Sequence, residues 1–215
     1  MSNLLLNGTT KKILETKMRI GFDLDGVGFN FGDSCHRYLQ HIGQGHLWKS
    51  GPTPDPYWDW YKDWGWTTEQ FLEFCHAGAD AGFIFSGPVR EGFVETVETA
   101  ARLGHEIIII TDRSFGYTPQ VSQNLTCEWL AEHGIEYDEL IFSPDKTVVW
   151  TDMFIEDKLD NYDKLIAAGT DAFLLNRPWN RVPGGDARNR IDDILEYGAS
   201  ITRRTHAGVV DLTLV

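Results

Sequence analysis

Four successive β-branched residues, Ile107-Ile108-Ile109-Ile110, leave little choice of fold around them. With no polar residue alternating between them, neither face of this strand suits water, so it belongs in a sheet covered on both sides. It sits in a run from Glu106 to Thr111, and four other short apolar runs also read as strands: Arg19 to Leu24, Glu139 to Phe142, Met153 to Glu156 and Ala172 to Leu175. Helical patterns separate them. Glu91 to Leu103 carries apolar residues at helical spacing and stops at Gly104, and Asn161 to Ala168 stops at Gly169. Thr118-Pro119 reads as an N-cap followed by proline at the first helical position, in a helix that ends at Gly134. Strands alternating with helices predict an α/β, Rossmann-like parallel sheet with helices on both faces, and ligands beyond the carboxyl ends of its strands.

One interval is too long for that plan. A βαβ unit needs about 30 residues, and the stretch from Asp23 to Thr111 far exceeds it, leaving residues 34–88 as an insertion above the strand ends. Five of the eight tryptophans fall there, with Tyr57 and Tyr61. A small appendage needs large aromatics to build a core, and one or two of them could face the cleft. The predicted organisation is a polar leader (1–17), an α/β core (18–33 and 89–200), the aromatic-rich insertion (34–88) and a C-terminal tail (201–215).

Charge narrows the partners. The formal net charge of −13 argues against wrapping a nucleic-acid polymer, which takes lysine and arginine to neutralise phosphates. A small anion remains compatible if a metal makes the site locally positive. No apolar stretch is long enough for a membrane span, and the first 17 residues lack the pattern of a secretory signal. Cys35, Cys75 and Cys127 fit neither a disulfide framework nor a CxxC metal site, so a cytoplasmic location is expected.

The chemistry gathers at the strand ends. The first run empties into Asp23-Leu24-Asp25-Gly26-Val27, two carboxylates two residues apart before a glycine that permits a turn. Such a pair can divide phosphoryl transfer, one group attacking phosphorus and the other handling the leaving group's proton. Thr111 ends the second strand with a hydroxyl able to donate to a phosphoryl oxygen. Lys146, in Asp145-Lys146-Thr147, could pair with both the first carboxylate and the phosphate. Glu156-Asp157 closes the fourth strand with oxygen ligands that suit Mg²⁺.

In this order the motifs resemble the haloacid dehalogenase superfamily, from about Met18 to Asn180. Asp25-Gly26-Val27 followed by Phe29 and Phe31, Phe83-Ile84-Phe85 before Pro88 and Gly92, and above all Asp145-Lys146-Thr147-Val148-Val149 leading to Phe154-Ile155-Glu156-Asp157 are similar to the 5'(3')-deoxyribonucleotidases. That family carries a small, mainly helical cap where this chain has its insertion. The resemblance implies a Mg²⁺-dependent phosphomonoesterase acting on deoxyribonucleoside monophosphates. It implies Asp23 as the nucleophile that forms an aspartyl-phosphate, Asp25 as acid and then base, and Thr111 and Lys146 as holders of the phosphoryl oxygens. The metal would take the Asp23 carboxylate, the Asp25 backbone carbonyl and Asp157, with Glu156 behind them.

Phe31, Tyr57 and Trp58 match positions lining the family's base pocket, and Phe85, Asp112 and Arg113 join the expected substrate contacts. Asp112-Arg113 replaces the family's usual Ser-Pro, setting opposite charges near the phosphate. Asn176 to Arg181 reads as a tight surface turn, with a guanidinium that could reach the cleft. A homodimer is the implied assembly. The alternatives are another small phosphate ester, a nucleic-acid 3'-phosphate end, which the acidic balance disfavours, or a binding protein without turnover.

Overall fold

The computed structural model describes residues 17–48 and 59–207. Expectations for residues 1–16 and 208–215, and for Tyr57 and Trp58, lie outside the described residues. Among the described residues, six parallel strands form one sheet: β1 (Arg19–Phe22), β2 (Glu106–Thr111), β3 (Glu139–Phe142), β4 (Met153–Glu156), β5 (Asp171–Leu175) and β6 (Arg190–Ile191), in the spatial order β3-β2-β1-β4-β5-β6. The helices are α1 (Phe31–His41), α2 (Thr68–Asp80), α3 (Phe93–Arg102), α4 (Pro119–Glu132), α5 (Leu159–Ala167) and α6 (Ile194–Ala207).

The isoleucine run behaves as its chemistry requires. Ile107 and Ile109 enter the core beneath α3, α4 and α6, whereas Ile108 and Ile110 face the opposite side with Tyr162 and Leu165 of α5. All four are buried. This is the expected α/β architecture, helices on both faces. Among the described residues, no helix is long and apolar enough to cross a membrane.

β1 ends two residues earlier than its apolar run suggests. Asp23 still donates its N–H to Ile155 O at 3.1 Å, but Leu24 O then accepts from Val27, Gly28 and Phe29 in turn, curling the chain into a tight loop. Gly26 makes that loop possible at φ 90°, a left-handed value that other residues rarely adopt. Asn30 closes it, its side chain accepting from Asp33 N to cap α1. That helix starts at Phe31, three residues before the expected insertion.

Among its described residues the insertion holds most of α1, all of α2 and two short 3₁₀ turns. α2 opens on a capping box in which Thr67 and Gln70 satisfy each other's backbone N–H groups. Trp64 and Trp66 pack edge-to-face at 5.0 Å and both reach Phe74, while Tyr61 stacks on Phe71 at 4.3 Å. These aromatics extend the main core: Tyr61 and Phe74 belong to the same buried cluster as Phe22 and Ile109, and Trp64, Trp66 and Phe71 pack against it. At the other end of the chain, α6 runs to Ala207, past residue 200, and buries Ile201 and Thr205. β6, only two residues long and without an apolar pattern, was invisible in the sequence.

Candidate active site

Every strand-end motif arrives at one edge of the sheet because β1, β2 and β4 are neighbours running in the same direction. Asp23 follows β1 and is 5% exposed. The Lys146 ammonium donates to Asp23 Oδ1 at 2.7 Å and to Ile110 O at 2.8 Å, bridging the carboxylate to β2. Burial alone would lower the lysine, but Asp23, Glu156 and Asp25 outweigh it and hold its ammonium above the ordinary value. Burial pushes Asp23 up to about 7, with Lys146 opposing and Glu156 and Asp25 adding to the rise.

Glu156 and Asp157, at the end of β4, are fully buried. Ligand oxygens of Asp23, Glu156 and Asp157 lie within 4.8 Å of one another. Glu156 spends its oxygens locally: Oε1 accepts from the N–H groups of Asp157 and Lys158 at 2.9 and 3.0 Å, and Oε2 from Asn161 Nδ2 at 3.1 Å. Asp157 Oδ2 accepts from the Trp179 indole at 2.8 Å, while its buried Oδ1 has no partner. Burial, then Glu156 and Asp23, drive the Asp157 carboxyl well above its ordinary range. Three clustered buried carboxylates, one paired with Lys146 and one with an orphaned oxygen, suit a hard divalent cation with oxygen ligands.

Asp25 points elsewhere. Its carboxylate is forked by Arg113 and lies 3.4 Å from Thr111 Oγ1. Arg113 was expected among the substrate contacts; its side chain is 0% exposed and sits beneath Asp25, sandwiched by Phe29, Phe85 and Trp129 at 4.6 to 5.4 Å. The opposite charges of Asp112 and Arg113 thus separate, with Asp112 on the exposed cleft wall and Arg113 underneath.

The cleft above these groups measures about 360 Å³. Its apolar wall includes Phe31, Phe85 and Phe115, with Phe85 stacked on Phe115 at 5.9 Å. Phe85 holds φ at 68°, a strained value for a non-glycine residue, and its ring separates the cleft from Arg113. Phe71 and Leu72 of α2 form the roof. A wider groove of about 890 Å³ runs between α6 and β5–β6, but the three-carboxylate set lies outside it.

Sequence reading missed Trp179, Phe115 and Phe71. The turn after β5 is not a plain surface turn: Trp179 reaches Asp157, and Asn180 Nδ2 ties Asp157 O to Leu175 O at 2.8 Å each. Its position after a strand, at the edge where the other motifs converge, was the available signal.

A parallel α/β sheet carrying a buried aspartate–lysine pair and an acidic strand end at its carboxyl edge defines a haloacid dehalogenase-like hydrolase. Solved structures share that fold: a haloacid dehalogenase-like hydrolase from Xanthomonas campestris aligns over 91% of this chain and 97% of its own at TM-score 0.53 and 12% identity. D,D-heptose 1,7-bisphosphate phosphatase from Burkholderia thailandensis aligns over 86% and 99% at TM-score 0.51 and 11% identity. The chain belongs to the family of 5' nucleotidase, deoxy (pyrimidine), cytosolic type C proteins, whose model matches residues 17–193. It is 28% identical over 168 residues, 75% of this chain and 80% of the other, to a Chlorobaculum tepidum protein named "Putative 5'(3')-deoxyribonucleotidase". Membership makes it a phosphoric monoester hydrolase of the nucleotidase type.

Proposed function

We propose that the chain is a Mg²⁺-dependent phosphomonoesterase that dephosphorylates deoxyribonucleoside monophosphates. The observation that carries this reading is the buried Asp23–Lys146 pair beside the orphaned oxygen of Asp157. Lys146 holds Asp23 Oδ1, which leaves Oδ2 to attack phosphorus as the phosphorus–ester oxygen bond breaks. Asp25 gives its proton to the departing nucleoside oxygen. It then takes a proton from water, which attacks the aspartyl-phosphate, releasing inorganic phosphate and restoring Asp23. Thr111 and Lys146 hold the phosphoryl oxygens while negative charge spreads over them. The Asp23 carboxylate, the Asp25 carbonyl and Asp157 would hold Mg²⁺, with Glu156 fixing the turn that presents Asp157. When bound, the cation neutralises carboxylate and phosphate charge.

Substrate choice is assigned to the aromatic wall. Phe31, Phe85 and Phe115 offer ring faces for a planar base, and Asp112 stands beside them. The name of the Chlorobaculum tepidum relative favours a deoxyribonucleotide over other phosphate esters.

Two measurements decide the reading. Hydrolysis of an aryl phosphate with Mg²⁺ should vanish in Asp23→Asn; turnover that survives removes Asp23 from the nucleophile's role. A panel of deoxy- and ribonucleoside monophosphates against sugar phosphates should then favour the deoxyribonucleotides, and indifference among them defeats the substrate assignment.

A further inference from the structure

A second pocket, also about 360 Å³, lies beside the cleft and shares Asn30 and Arg90 with its wall. It opens between the loop after β1, the segment before α3, the loop after β5 and the link from β6 to α6. Two guanidiniums line it. Each is anchored at Nε by a loop carbonyl: Arg90 to Phe29 O at 3.2 Å and Arg177 to Gly26 O at 2.6 Å. Arg177 Nη1 makes one further long bond, to Asn176 O at 3.4 Å. Among the described residues, both Nη groups of Arg90 and Nη2 of Arg177 have no hydrogen-bond partner, and neither arginine has an ion pair.

Both guanidiniums are half-buried, so their charge is partly stripped of water with no ion pair to offset the loss. Burial and the neighbouring Arg90 push Arg177 down to about 10, and burial lowers Arg90 as well. Asp157, Asp33 and Asp193 offset this only from a distance. Three acids also line the pocket: Glu91, Asp192, whose Oδ1 accepts from Asn176 Nδ2 at 2.8 Å, and Asp193, whose Oδ1 caps Leu195 N at 2.9 Å. The first turn of α3, which starts just after the pocket residue Glu91, has Gly92 as its cap and no side-chain oxygen on its N–H groups, adding positive partial charge.

We infer that Arg90 and Arg177 form a subsite for a phosphate-type dianion, separate from the phosphoryl position at Asp23. Planar guanidiniums fixed at Nε present their remaining N–H groups as a fork matched to phosphate oxygens. The dianion is either the second phosphoryl group of a bisphosphorylated nucleotide or free inorganic phosphate. Only the first source rests on the phosphatase reading above.

The test compares the wild type with Arg177→Met and Arg177→Lys, all checked for folding by melting curves. Kinetics on a deoxynucleoside 5'-monophosphate and its 3',5'-bisphosphate give the ratio of their KM values. Arg177→Met should raise the bisphosphate KM relative to the monophosphate by about tenfold, the loss of one charge-assisted contact, with Arg177→Lys intermediate. Calorimetric titration with inorganic phosphate should show one more phosphate per chain in the wild type than in Arg177→Met. A shifted KM ratio identifies the substrate's second phosphoryl group. Lost phosphate stoichiometry alone identifies the free anion. If both stay unchanged in Arg177→Met, or in Arg177→Lys should the first variant not fold, the subsite is refuted. A wild type inactive on aryl phosphate would remove the phosphatase reading, and the phosphate stoichiometry would still judge the subsite.

Discussion

Arg113 grips Asp25 with two bonds, Nε to Oδ2 at 3.0 Å and Nη2 to Oδ1 at 3.2 Å, from a position with no exposed side-chain surface. A planar fork fixes both distance and plane, so Asp25 is held in one orientation at the cleft floor. Replacing Arg113 with Met should lower kcat on an aryl phosphate by about 10- to 100-fold, the usual range for misplacing a general acid–base group, with little change in KM. The same variant should lose about 3 kcal/mol of stability in denaturant titration, since removing one partner strands a partly buried charge. An unchanged kcat would show that the fork has no part in turnover.

Asp157 gives a metal prediction with a readout apart from activity. Mg²⁺ should raise the melting temperature of the wild type as ligand binding to the folded state does. In Asp157→Asn that rise should disappear, yet the metal-free variant should melt a few degrees higher than the metal-free wild type, because one of three clustered buried carboxylates is gone. Equal Mg²⁺ responses in the two proteins would exclude Asp157 as a ligand.

A methyl group at residue 26 would sit 1.9 Å from Asp157 Oδ2, on a backbone held at φ 90°. Gly26→Ala should therefore cost about 1–2 kcal/mol from the left-handed conformation and displace the Asp157 carboxylate from Trp179. Melting curves with and without Mg²⁺ check both effects, and a variant with normal stability and normal Mg²⁺ response contradicts this geometry.

Phe31 stands 5.9 Å from Phe115 at the cleft wall. If a base stacks there, Phe31→Ala should raise KM for a deoxyribonucleotide by about tenfold, the loss of one stacking contact. An aryl phosphate should feel the change less, and equal effects on both substrates would argue against base stacking.

Acid sensitivity should centre on the charge cluster of Asp163, Asp186, Arg188 and Arg190, which lies outside the cleft wall. Arg190 and Arg188 hold Asp186 well below the ordinary carboxylate range, and Arg188 lowers Asp163 as well. Both carboxyls are depressed in the folded state, so their stabilisation is present above the unfolded value of about 3.9 and is lost as pH falls below it. Melting temperatures between about pH 5 and pH 2 should fall less steeply in Asp186→Asn than in the wild type.

Sequence carried the strands well where burial on both faces demanded unbroken apolar runs, as in Ile107–Ile110 and Met153–Ile155. It also located the strand ends, because chain order and the parallel topology together determine which edge each motif occupies. Side-chain direction was harder. Asp112 and Arg113 are adjacent in sequence, and only the packing of Phe29, Phe85 and Trp129 decides that the arginine turns under Asp25. Trp179 was illegible for a related reason: its partner lies across the strand edge, 22 residues away. β6 pairs with β5 through two residues only, too few for any periodicity.

The central placement of β1 has a consequence for biosynthesis. Its N-terminal end is tied to the residue before β4, Arg19 N to Asp152 Oδ2, across 133 positions of chain. Closing so large a loop is slow compared with forming a helix or hairpin, and it cannot start until β4 has left the ribosome. Asp23 therefore meets Lys146, Glu156 and Asp157 only once the strand that completes the middle of the sheet has been made. The contacts that assemble the cleft are thus made by the same strand that closes the sheet.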